Sequence, residues 1–100
     1  MPYNVVMSWK VKLSGKAVKQ FEKLPEHAQL ALRALVAEIQ ANGPYRANWK
    51  HYSPLKNQTS RYHCHLVGGR PTYVACWEVV DKKNKIVEVY YAGTHENVPY

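Results

Sequence analysis

Residues 14–44, SGKAVKQFEKLPEHAQLALRALVAEIQANGP, constrain the fold more than any other stretch. Ala28, Leu32, Leu35, Val36 and Ile39 recur at helical spacing and make one apolar stripe, which predicts a helix over 26–42. Asn42-Gly43-Pro44 stops it, because glycine closes helix ends easily and proline cannot continue a helix. Ahead of it, Ala17, Val18, Phe21 and Leu24 form a shorter stripe that Ser14 is placed to cap. Pro25 ends this first helix and suits the start of the next, where the first turn needs no backbone donor. Two such helices joined at a proline make an α-hairpin with an apolar face to bury.

The rest of the chain supplies a sheet for that face. In the opening VVMSWKVKL, Val5, Met7, Trp9, Val11 and Leu13 alternate with Ser8, Lys10 and Lys12, the period of a half-buried strand. Residues 43–59 read as a polar, basic loop, and a connection of that length in a small domain is often functional. RYHCHLV (61–67) ends at Gly68-Gly69, a hairpin signal, followed by TYVACWEVV (72–80) and IVEVYYA (86–92). The expected fold is α+β in the order β-α-α-β-β-β, a four-stranded antiparallel sheet packed against the α-hairpin. One hundred residues make a single domain, 1–100.

Charge narrows the function. The net charge is +7, and from Ile39 to Trp77 there is no Asp or Glu, while Arg46, Lys50, Lys56, Arg61 and Arg70 lie within that block. Such a block cannot neutralise itself and offers a positive field to a polyanion. Tyr45, Trp49, Tyr52 and Tyr62 are interleaved with it, and cations beside rings suit single-stranded nucleic acid. Arg46, Trp49, Lys50, His51, Tyr52, Lys56 and Arg70 are therefore candidate contacts to RNA or the ribosome, with Trp49 and Tyr52 equally suited to packing. No apolar run approaches the roughly 20 residues of a membrane span, and the opening residues lack a secretory pattern. Two cysteines are too few for a disulfide scaffold, which fits a reducing, cytoplasmic setting.

Chemistry concentrates in SRYHCHL, 60–66. Strand alternation places Arg61, His63 and His65 on one face and Tyr62, Cys64 and Leu66 on the other, with the two histidines about 7 Å apart along the strand. A structural zinc site needs four ligands. Cys64 points away, Arg61 brings an unhelpful charge and no carboxylate is near in sequence, so no metal or other cofactor is expected, although His95 would add a third ligand if the last strand ends next door. Surface histidines without a task are one alternative. Acid–base work beside a phosphate is the other, because histidine takes either proton role near neutrality and arginine stabilises phosphate charge. GTHENVPY, 93–100, adds His95 and the closing Tyr100. Cys76 falls opposite Trp77 beside Val74 and Glu78, with nothing to make it a nucleophile.

With the opening strand, SGKAVKQFEKLP, the second helix, the basic loop, TYVACWEVVDKKNKIVEVYYAG and the ending in a basic residue and Tyr, the whole chain resembles the RelE/ParE toxin superfamily of bacterial toxin–antitoxin systems. The resemblance implies one of two activities. RelE-like members cut mRNA in the ribosomal A site by attack of the 2′-hydroxyl on the adjacent phosphate, and ParE-like members poison DNA gyrase. Both kinds are silenced by a cognate antitoxin. It also implies that His63 and His65 stand where RelE keeps a pair of lysines, that His95 stands for the basic residue after the last strand, and that Tyr100 stands for the terminal tyrosine. The family's strand arginine is absent, since the Tyr-Arg pair reads Tyr73-Val74 here; Arg61 or Arg70 would have to supply its charge. The titratable set favours a metal-independent endoribonuclease with His63 or His65 as base, His95 as acid and Arg61 on the phosphate. The missing arginine favours a gyrase-directed or degenerate member.

Overall fold

The structure, a computed structural model, describes residues 8–55 and 60–99. Strand β1 (Lys10–Leu13) leads into helices α1 (Gly15–Lys23) and α2 (Glu26–Asn42). Strands β2 (Ser53–Pro54), β3 (Arg61–Val67), β4 (Tyr73–Asp81) and β5 (Ile86–Thr94) follow, then one 3₁₀ turn at His95–Asn97. Val5 and Met7 of the expected first strand lie outside the described residues.

The helices start and stop for the reasons the sequence gives. Ser14 Oγ accepts from the Ala17 amide at 3.1 Å and caps α1, while Pro25 occupies the N-cap of α2. Gly43 ends α2 at φ +99°, where a Cβ would also meet Trp9 Nε1 at 3.1 Å. Both the backbone and the close tryptophan thus call for glycine. One residue later the Trp77 indole donates to the Pro44 carbonyl at 3.0 Å, fully buried, which fastens the end of α2 to the middle of the sheet.

The class is α+β as expected, but among the described residues the sheet has five strands in the order β1-β5-β4-β3-β2, and it is mixed. The pairing of β1 with β5 is parallel, with Val11 opposite Val87 and Leu13 opposite Val89. After the α-hairpin the chain re-enters the sheet at its far edge and zigzags back, so that β5 arrives beside β1 running the same way. The extra strand, β2, is a two-residue piece of the expected loop, pairing Ser53 with His63 and Pro54 with Tyr62. The helices cover one face, where Leu32, Leu35 and Ile39 meet Cys64, Trp77, Val87 and Val89. Trp9 packs on the flank of this core and Trp77 is fully buried in it, as strand alternation indicates.

Among the described residues, the other face carries no helix. There Val74, Cys76 and Tyr91 form a second small cluster, with Tyr90 and Val98 packed against it. Val98 covers it because the chain after β5 folds back. A Cβ on Gly93 would meet the Tyr91 hydroxyl at 2.8 Å, and that hydroxyl donates to the Thr94 carbonyl at 2.7 Å. The His95 amide then donates to the Thr72 carbonyl at 2.9 Å, fixing the 3₁₀ turn beside the β3–β4 connection.

Candidate active site

On the open face, β3 presents Arg61, His63 and His65, and the register sets them opposite Glu78, Cys76 and Val74 of β4. The returning C-terminal turn brings the His95 ring to 5.4 Å from the His65 ring, edge to face. From the other side His51 lies 4.2 Å from His65, ring centre to ring centre, at an interplanar angle of 32°. His63 sits two residues back along β3, and its Nε2 shares a 2.7 Å hydrogen bond with Ser53 Oγ, the β2 residue paired with it. Four of the chain's five histidines thus gather from the loop, the strand and the C-terminal turn.

Burial holds His63 below the ordinary imidazole range, helped by repulsion from His95 and His51. Burial does the same to His65, followed by repulsion from His51, His95 and His63. Both rings are accordingly neutral near pH 7, the form in which an imidazole can act as a base. Burial pushes the thiols of Cys64 and Cys76 up to about 12, so neither is a nucleophile at neutral pH.

The loop that delivers His51 is held by one carboxylate absent from the sequence reading. Arg46 Nη1, Asn48 Nδ2 and Trp49 Nε1 all donate to Glu38 Oε1 of α2, at 3.3, 3.0 and 3.1 Å. The Asn48 hydrogen bond leads the effects that hold the Glu38 carboxyl below its usual range. The His65 amide donates to the Lys50 carbonyl at 2.8 Å, joining the loop to β3. Glu38 lies just outside the acid-free block, and only the return of the loop onto α2 reveals its role.

Two open grooves meet at His65. One, of about 630 Å³, is lined by Arg70, Pro71, Thr72, Thr94, His95 and Glu96. The other, of about 420 Å³, is lined by Glu38, Asn48, Trp49, Lys50 and His51. Arg70 and Lys50 are exposed, and among the described residues neither is in an ion pair.

The basic block is therefore less uniform than its sequence suggests. Arg46 is paired with Glu38 at 3.3 Å and Arg61 with Glu78 at 3.2 Å, acids contributed from outside the block by α2 and β4. Arg61 also lies over the Tyr90 ring at 4.9 Å, so its guanidinium is engaged before any phosphate arrives. Trp49 and Tyr52 pack against the core, and the rings of Tyr52, Tyr62 and Trp77 lie 6.0, 6.1 and 6.2 Å from one another, centre to centre. Of the two uses left open for these rings, the structure shows packing. Lys56 and Tyr100 lie outside the described residues. Among the described residues no three His, Cys, Asp or Glu side chains are arranged to hold a metal ion, and no helix is long and apolar enough to cross a membrane.

An α-hairpin on one face of a small mixed sheet, with the C-terminal turn returning over the other face, is a fold this chain shares with solved structures of RelE and YoeB toxins. A mutant of the E. coli toxin RelE in the free state superposes with a TM-score of 0.70 at 21% identity, covering 90% of this chain and 86% of that one. The archaeal RelE–RelB complex from Pyrococcus horikoshii gives a TM-score of 0.66 at 16% identity, over 92% of this chain and 100% of that one. The YoeB dimer from Staphylococcus aureus gives 0.68 at 15%, over 88% and 98%. No family model matches the sequence, and no curated protein matches it. At these identities the likeness is one of fold.

Proposed function

We propose that this protein is the toxin of a toxin–antitoxin pair and that it acts as a ribosome-dependent, metal-independent endoribonuclease on mRNA. The observation that carries this reading is the gathering of His51, His63, His65 and His95 between two grooves, each holding a cation that is in no ion pair among the described residues. A surface used only for binding has no need for depressed imidazoles at its centre.

In the proposed reaction a phosphodiester lies at the junction of the grooves. His65, neutral, takes the proton of the 2′-hydroxyl as its oxygen attacks phosphorus. His95, as the acid, gives a proton to the departing 5′-oxygen, leaving a 2′,3′-cyclic phosphate and a 5′-hydroxyl. His63, held by Ser53, is the second candidate base. Arg70 lies in the same groove as His95 and takes the phosphate-stabilising role in place of the engaged Arg61. Tyr100 is retained as the residue that holds the base of the cleaved nucleotide. A cognate antitoxin is the expected protein partner, as RelB is for RelE in the archaeal complex.

Induction in cells followed by primer extension on translated mRNA tests the reading. Wild type produces discrete, codon-phased cuts and arrests growth. His95→Ala, at an exposed position, folds normally, gives no cuts and leaves growth unaffected. Full growth arrest by His95→Ala overturns the assignment. Intact mRNA with DNA-damage signalling would instead mark a gyrase poison, and no effect of wild type a degenerate member.

A further inference from the structure

The reaction above uses His65 and His95 and leaves His51 without a task, yet the surroundings of His51 are the most heavily tied part of the loop. Three side-chain donors converge on Glu38 Oε1 just before it. The Lys50 carbonyl is fixed to the His65 amide. His51 itself stands at φ +55°, in the left-handed region, so the turn that points the chain onward ends on this residue. What this bracing delivers is one contact, the imidazole packed at 4.2 Å against His65.

We propose that His51 is a positioning residue for the site: packed against His65, it fixes that ring's orientation and keeps it in the neutral form that accepts the 2′-hydroxyl proton. The mechanism rests on His65 being the base in the proposed function. Two imidazoles this close do not both take a proton readily, because the second charge forms beside the first. With His51 in place, His65 is held neutral to lower pH, and its ring cannot rotate away from the junction of the grooves. The depression of His65 by burial and then by His51 points the same way. The other groups facing His65 are His63 on its own strand and His95 on the C-terminal turn. Lys50 and Glu38 face it from the loop-side groove, and Arg70 and Glu96 from the other. Three of these are cations or potential cations beyond His63, and two are acids, so the direct ring contact with His51 is the feature a single substitution isolates.

The test is an NMR titration of the histidine rings in the full chain, without substrate. His51→Phe keeps a packed ring and removes its proton, whereas His51→Asn removes the ring and tolerates the left-handed backbone. In both, the His65 midpoint moves to higher pH than in wild type, and the acid limb of mRNA cleavage in a purified translation system moves up with it. A His65 midpoint unchanged in both variants overturns the proposal. Because the midpoints are read without RNA, they separate the two ideas. A moved midpoint with an unmoved cleavage profile keeps the His51–His65 coupling and removes His65 as base. A moved midpoint in a protein that cuts no mRNA keeps the coupling and removes the proposed function.

Discussion

At His63 and His65 the same burial that prepares a base also works against the fold in acid. Both imidazoles are held below the ordinary histidine value of about 6.5. Well above that pH neither the folded nor the unfolded chain carries a proton on these rings, and the depression has no effect on stability. As pH falls below it, the unfolded chain binds protons that the folded chain refuses, so stability declines until pH passes the folded values. The melting temperature should therefore fall between pH 7.5 and pH 5, read by circular dichroism. In the His63→Gln/His65→Gln double variant the decline should be visibly shallower. Equal pH dependence in the two proteins would show that the histidines are not the groups responsible. Ser53 belongs to this scale as well, since its 2.7 Å contact with His63 Nε2 fixes how that ring is turned.

Among the elements, the loop between α2 and β3 is held chiefly by Glu38. Its Oε1 gathers donors from Arg46, Asn48 and Trp49, and removing it leaves a half-buried indole and a half-buried guanidinium without their acceptor. Loss of such hydrogen bonds, with donors left unsatisfied, costs about 1–3 kcal/mol. Glu38→Ala should lose stability on that order in urea unfolding, and nuclear Overhauser contacts between the His51 and His65 rings should weaken. Retention of both contact and stability would mean that the backbone bond from His65 to Lys50 suffices to hold the loop. The loop also shows where sequence reading stops. The bounds of α2, Glu26–Asn42, were legible because Pro25, the 3.6-residue stripe and Asn42-Gly43-Pro44 are all local signals. So was the facing of Arg61, His63 and His65, which follows from strand alternation. The pairing of Ser53 with His63, the parallel partner of β1 and the approach of His51 to His65 were not. Each depends on where a distant segment lands, and no spacing along the chain encodes that.

For the whole molecule, the net charge of +7 matters less than which cations remain available. Arg46 and Arg61 carry charge that Glu38 and Glu78 already balance, whereas Lys50 and Arg70 flank His65 from the two grooves with no ion pair among the described residues. A strand laid across His65 would release counterions at these two positions above all. The affinity of a fluorescent, uncleavable 2′-O-methyl oligoribonucleotide, followed by anisotropy over a series of salt concentrations, makes this measurable. For single strands, each phosphate contact contributes about 0.7 to the slope of log affinity against log salt. Lys50→Gln and Arg70→Gln should each lower the slope by about that amount, and the double variant by the sum, since the two act from separate grooves. Arg46→Gln should leave it nearly unchanged, because that guanidinium is held by Glu38 in the unbound protein. If all three substitutions lowered the slope alike, the positive field would be diffuse. The phosphate path would then not run through the junction at His65, and the histidines would lose the substrate their arrangement requires.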